Sequence, residues 1–223
     1  MFEILLKGEM SMFRDWNFWC TVMTSITAVI ALCLSVYQIQ LSNKQQLFDR
    51  RLKVYMVASG IISLCKENYI WLSGKRDAEP QFANDYIFIW LTNNTYMEGQ
   101  VEAIEHPLEQ PFHKEFLKKC EELRSMAIEF ELIFKGDVAL LYRDFLRDYE
   151  KTLAVMYQYQ IIIEKMKEEN SKHPMTPEEL SRMFAEEKYR NDLYNALDQL
   201  KKSYDIVAQE KVENRLKKQL TLT

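Results

Sequence analysis

Glycine and proline are scarce in this chain, at five residues each out of 223. Their scarcity argues against loop-rich or collagen-like architectures and leaves few interruptions for long helices. No two cysteines form a CxxC pair, which argues against zinc-ribbon and thioredoxin-type frameworks. Cys20 and Cys33 fall in an apolar stretch and Cys65 and Cys120 at core-like helix positions, so all four are expected as reduced, buried thiols. There is no HExxH, no GxSxG, no glycine-rich phosphate loop and no GxGxxG. The three histidines, His106, His113 and His173, lack metal-ligand spacing and read as surface or capping residues. Di-metal helical proteins need paired Glu-x-x-His turns, and none occurs here. Glu121, Glu122, Glu129 and Glu131 therefore read as a solvated face. The formal net charge of -4 lacks the basic footprint that nucleic acid requires. These absences point away from enzyme chemistry, and no cofactor, metal or catalytic residue is expected.

What is present begins with a long uncharged run. From Trp16 to Asn43 there is no Asp, Glu, Lys or Arg. Its apolar heart, Phe18 to Tyr37, has the length that about 30 Å of hydrocarbon demands at 1.5 Å per residue. Trp16 and Trp19 stand at one end and Tyr37 at the other, where amphipathic rings favour membrane interfaces. A signal peptide fits less well, because Glu3, Glu9 and Asp15 dilute the basic Lys7 and Arg14 ahead of the run. Leu32 before Cys33 is too large for a lipoprotein cleavage site. Residues 18–39 are thus read as a transmembrane helix, residues 1–17 as a short extracytoplasmic tail and residues 40–223 as a cytoplasmic domain.

The orientation rests on flanking charge. Lys44, Arg50, Arg51 and Lys53 follow the span, against Lys7 and Arg14 before it, so the positive-inside bias keeps the C-terminal side in the cytoplasm. Arg50, Arg51 and Lys53 also suit anionic headgroups. Thr27, Ala31 and Ser35 share one face of the span, and Cys20, Thr24 and Ala28 a neighbouring one. Such small faces let helices approach closely in lipid, and a homo-oligomer is expected through Thr24, Thr27, Ala28, Ala31 and Ser35. The rival reading is that these hydroxyls simply bond back to their own helix. The Asn93-Asn94-Thr95 sequon is irrelevant in a cytoplasmic location.

Beyond the span, Gln38 to Tyr69 keeps a helical beat at Phe48, Leu52, Tyr55, Ser59, Ile62 and Tyr69, so the anchor is expected to continue as a stalk. Ser73 to Pro80 reads as a polar turn. Gln81 to Glu105 reads as a buried helix, although Tyr86 to Leu91 has a strand-like composition. Phe112, Phe116, Cys120, Leu123, Ala127, Phe130 and Phe134 mark an amphipathic helix. Lys135-Gly136-Asp137 then supplies a terminal glycine and a new cap at Asp137. Val138, Leu141, Phe145, Tyr149, Leu153, Met156, Gln160 and Ile163 continue as the second arm of an antiparallel hairpin. Thr176-Pro177-Glu178-Glu179 is a helix start, followed by a last helix with Leu193, Leu197, Leu200, Tyr204 and Val207 inward. Lys211 to Leu220 reads as a frayed, solvated end. The expected fold is all-α: one N-terminal transmembrane helix continuing into an antiparallel helical bundle of about four or five helices.

Leu47-Phe-Asp-Arg-Arg-Leu-Lys-Val-Tyr55 after the span, and Glu131-Leu-Ile-Phe-Lys-Gly136 before the next helix, carry a resemblance to a loose group of bacterial membrane proteins. The second stretch departs from that group's pattern by one inserted residue. Some members occur in anti-phage loci as membrane effectors. The resemblance implies a non-enzymatic, inner-membrane protein whose spans associate and whose domain binds a cytosolic protein partner; a tethered adaptor or regulator is the alternative.

Overall fold

The computed structural model describes residues 16–72, 84–209 and 212–220. Residues 1–15 of the expected 1–17 tail, and the polar turn at 73–80, lie outside the described residues. Among those described, the chain forms nine α-helices and no strand. They are α1 (Trp16–Glu67), α2 (Tyr69–Leu72), α3 (Asn84–Leu91), α4 (Val101–Glu105), α5 (Phe112–Ile133), α6 (Asp137–Lys172), α7 (Pro177–Phe184), α8 (Glu186–Gln209) and α9 (Val212–Lys217), with a 3-10 turn at Thr95–Met97.

The described residues divide into two units, one up to Phe48 and one from Asp49 onward. The first is the N-terminal part of α1. The second has its own core, and its long helices run antiparallel, as the partner residues show. On α5 and α6, Phe116 meets Tyr157, Arg124 meets Glu150 and Phe130 meets Tyr142. One number climbs as the other falls. The same holds for α6 and α8, where the Gln199 amide donates to Asp148, the Thr152 hydroxyl to Ala196 O, and the Tyr159 hydroxyl to Glu186. Helix α6 is therefore central, which explains its wide buried surface from Val138 to Met166. Fully buried Phe88, Phe116, Phe130, Tyr142, Phe145, Tyr149 and Tyr159 fill the core. Aromatic pairs such as Phe130 stacked on Tyr142 at 4.9 Å contribute about 0.5–1.5 kcal/mol beyond the area they bury.

Polar pins fix the short helices. The Tyr149 hydroxyl donates to Leu91 O at the end of α3 (2.6 Å), and the Asn84 amide donates to Met156 O and Gln160 Oε1 at its start. In the region expected as one buried helix, Gln81 to Glu105, the described residues 84–105 instead form α3, the 3-10 turn and α4. Asn94 starts that turn by accepting from Met97 N, and the positive φ of Gly99 (83°) ends it. These local turns outcompete a continuous helix. Tyr86 to Leu91 is helical, not extended, because α3 needs one turn face against α6.

Several register details differ from the sequence reading. In α1 the buried stripe is Val54, Tyr55, Ala58, Ile61, Leu64 and Cys65, while Leu52 is exposed and Ile62 half-buried. In α6, Tyr142 rather than Leu141 is fully buried. Gly136, not Asp137, occupies the cap position of α6, at φ 84°, where a side chain is strained. The expected capping box at Thr176 and Glu179 is formed in both directions. The helix it starts stops after eight residues, however, because Ala185 adopts a left-handed conformation at φ 50° and turns the chain into α8. The C-terminal segment is not a frayed, solvated end. Leu216 is fully buried and Leu220 is packed against the core.

Candidate functional site

The N-terminal part of α1 is the most unusual surface of the molecule. It is a regular helix whose apolar window has a mean hydropathy of 2.0, and none of that window is buried. Among the described residues, this is the one helix long and apolar enough to cross a membrane. Trp16, Trp19 and Tyr37 are all exposed. At 1.5 Å per residue, Trp16 and Tyr37 lie about 30 Å apart along the axis, which matches a hydrocarbon core.

The small-residue face is intact in helical projection. At 100° per residue, Thr24, Thr27, Ala28, Ala31 and Ser35 fall within about a third of the helix circumference, and all five are exposed. Their hydroxyls are turned inward on the helix itself. Thr24 donates to Cys20 O, Thr27 to Met23 O and Ser35 to Ala31 O, each at 2.8 Å. Thr21 and Ser25 do the same to Asn17 O and Thr21 O. The donors are thus satisfied without a second chain, and what the face offers a partner is close approach rather than free hydroxyl protons.

The basic residues after the uncharged run divide into two kinds. Lys44, Arg50 and Lys53 are exposed and project into solvent. Arg51 is half-buried and committed elsewhere: its Nε donates to Ile133 O (2.9 Å), its Nη1 to Gln219 O (3.2 Å), and its guanidinium lies 6.0 Å from the Phe134 ring centre. Nothing in the sequence pattern separates Arg51 from its neighbours except that it lies near the phase of the buried stripe.

The titratable groups of the body are arranged for structure. Burial holds the Cys65 thiol well above its ordinary range, and burial with the nearby Glu150 carboxylate pushes Cys120 up to about 12. Both are free and buried, as the sequence suggested. A thiol held protonated at neutral pH is a poor nucleophile. Cys20 and Cys33, also free, are exposed rather than buried, on the part of α1 whose apolar window has no buried residue. Two buried carboxylates were not foreseen. Glu150 accepts from Arg124 Nη2 at 2.7 Å across α5 and α6. Glu186, at the start of α8, accepts from the Tyr159 and Ser181 hydroxyls and lies 3.7 Å from Arg190 Nη2. Only the acidic opening of α8 in the sequence hinted at it.

His113 is tied through Nδ1 to the Tyr157 hydroxyl (2.7 Å), which also accepts from Leu108 N. It orders the turn before α5. Glu102, Glu105 and His106 bring their ligand atoms within 4.8 Å of one another at the end of α4, on an exposed surface. The expected acidic face of α5 is exposed or half-buried. Part of it lines an open cleft of about 600 Å³ with Arg50, Lys53, Lys118 and Tyr96. Lys119 pairs with Glu122 at 2.8 Å and sits 4.3 Å above the Tyr96 ring, so this wall is stabilised by its own contacts. The Asn93-Asn94-Thr95 sequon lies at a second open cleft of about 460 Å³.

Compared with known proteins, the chain matches no family model, no curated protein sequence and no solved structure.

Proposed function

We propose that this chain is a non-enzymatic, single-pass membrane protein. Residues 18–39 span the bilayer, residues 1–17 lie outside, and residues 40–223 form a cytoplasmic helical bundle. The observation that carries the reading is an uncharged helix from Trp16 to Asn43 with an apolar window that none of the described residues covers. At about 25 cal/mol per Å² of apolar surface, such a helix is costly to leave in water, and lipid is the solvent that matches it. Lys44, Arg50 and Lys53 set the orientation by holding the C-terminal flank at the cytoplasmic surface.

In this reading the bundle binds a cytosolic protein partner and the spans associate through Thr24, Thr27, Ala28, Ala31 and Ser35. Release from the partner lets the spans assemble and perturb the membrane, as in the bacterial defence effectors that the sequence resembles. The test is expression of the full chain in bacteria. It should remain in carbonate-washed membranes, a cytoplasmic reporter after Thr223 should be active, and membrane potential should fall on induction. Recovery as a detergent-free soluble monomer would overturn the anchor. Unchanged potential and growth would remove the effector role alone.

A tethered adaptor is the second reading, and one observation favours it. The span's hydroxyl protons are already donated within the helix, while the body presents Ile128 and Leu132 outward on α5, Leu132 with 79% of its surface exposed. Crosslinking of a single stoichiometric cytosolic protein, with no toxicity, would select it.

A further inference from the structure

The end of the described chain converges on one place. Arg215 on α9 donates to Asp137 Oδ1 at 2.6 Å. The side-chain amide of Gln219 pairs both ways with the backbone of Lys135: Nε2 donates to Lys135 O at 3.0 Å, and Lys135 N donates to Oε1 at 2.9 Å. Lys135 lies between α5 and α6, where neither helix supplies partners for its backbone groups. Leu216 is fully buried as a member of the hydrophobic core. On the other side, Arg51 of α1 donates to Gln219 O and to Ile133 O, the last residue of α5. Three segments far apart in sequence thus share one polar knot: Arg51, the α5–α6 turn and the C-terminal segment.

We propose that residues 212–220 are a releasable strap that couples the C-terminal segment to α1 at Arg51. Helix α9 has six residues, too few to hold helical structure in water without docking. It is therefore docked and helical, or detached and unfolded, with little between. Apart from the apolar contacts of Leu216 and Leu220, its described fastenings are the Arg215–Asp137 ion pair and hydrogen bonds at or near the surface, which each contribute little in water. The largest fully buried side chains, among them Tyr142, Tyr149, Tyr159, Phe116 and Phe130, all lie on other elements. When the strap lifts, Arg51 loses Gln219 O and the turn at Lys135 loses its amide partner. Whatever binds the detached strap shifts that equilibrium, and the change reaches α1 through one side chain. The inference holds whether or not the N-terminal part of α1 lies in lipid.

Hydrogen exchange on the full chain in micelles tests it, comparing the parent with Leu216→Asp, which places a charge at that buried position, and Gln219→Ala, which cuts only polar contacts. Expected for Leu216→Asp is exchange at least about tenfold faster in peptides covering 133–137 and 49–56, with 145–160 unchanged. Expected for Gln219→Ala is a rise of about threefold in the same peptides, the loss of modest hydrogen bonds. Faster exchange across 145–160 as well would overturn the proposal, since the centre of the body would then depend on the segment. Unchanged exchange at 49–56 despite a freely exchanging 212–220 would overturn it too.

Discussion

Trp16–Phe48 and Asp49–Glu67 are two stretches of one helix, built on the same backbone bonds and with no glycine until Gly60. The first opens with an uncharged run, apolar on every side from Phe18 to Tyr37, with its hydroxyls folded back on their own carbonyls and no side chain buried as far as Phe48. The second is apolar along one stripe, Val54, Tyr55, Ala58, Ile61, Leu64 and Cys65, and charged at Arg50, Lys53, Lys66 and Glu67. Helix propensity does not distinguish them. The width of the apolar surface does: a stripe asks for a neighbouring element, and a full circumference asks for a different solvent. The change begins at Lys44, the first charge after the run.

The largest expected effect that would break this comparison lies in the body. Phe130→Ala removes a fully buried ring stacked on Tyr142 and Phe134 and should cost about 3–5 kcal/mol. Denaturant titration in micelles would measure it. Leu32→Ala in the exposed run should leave that midpoint where it was. Next is Ile30→Arg. If lipid surrounds the run, a mid-span arginine opposes insertion by about 2.5–3.5 kcal/mol. The carbonate-resistant fraction should drop while the body's melting is unchanged. An unaltered fraction would place both stretches in the same solvent and dissolve the contrast.

Smaller effects sharpen it. Thr176→Ala deletes a cap that accepts from Glu179 N and should lower the body's stability by about 1 kcal/mol. The same change at Thr24, whose hydroxyl serves only its own helix, should lower it by nothing measurable. The smallest expected effect is a pH response. Arg215 donates to Asp137 and holds its carboxyl below the ordinary aspartate range. A depressed carboxyl stabilises the docked state above its unfolded value and loses that contribution as pH falls through the lower folded value. Strap docking should therefore be flat from neutral pH to about 4 and loosen below it. Asp137→Asn should abolish the step, read as exchange at 133–137.

The broad outline was legible because long periods speak clearly. The uncharged run, the stripe on α5, the α5–α6 hairpin and the Thr176 capping box all follow from spacing and capping chemistry. What was not legible depends on where another segment lies. Ala185 carries no glycine-like signal, yet it turns the chain, since the short α7 must lay Leu180 inward before α8 begins. The 212–220 segment looks solvated because its charges alternate, and only the backbone left open at Lys135 gives Gln219 its place. Arg51 sits in a basic cluster that suits a membrane surface, and its hydrogen bonds to Ile133 and Gln219 come from residues 82 and 168 positions away. For the candidate site itself, the run and its flanks are plain in the residue order, while the inward bonding of its hydroxyls required the helix.

Glu186 has a consequence for how this molecule can drift over generations. Its carboxylate is buried and answered by the hydroxyls of Tyr159 and Ser181, with Arg190 close by. Losing any one answer strands a charge in the interior, so single replacements there should be purged while joint ones survive. In descendants of this chain, positions 159, 181, 186 and 190 should change together, exchanging the acid for an apolar residue only when the tyrosine becomes phenylalanine. That pairing of letters would be a recognisable mark of kinship where overall similarity has faded.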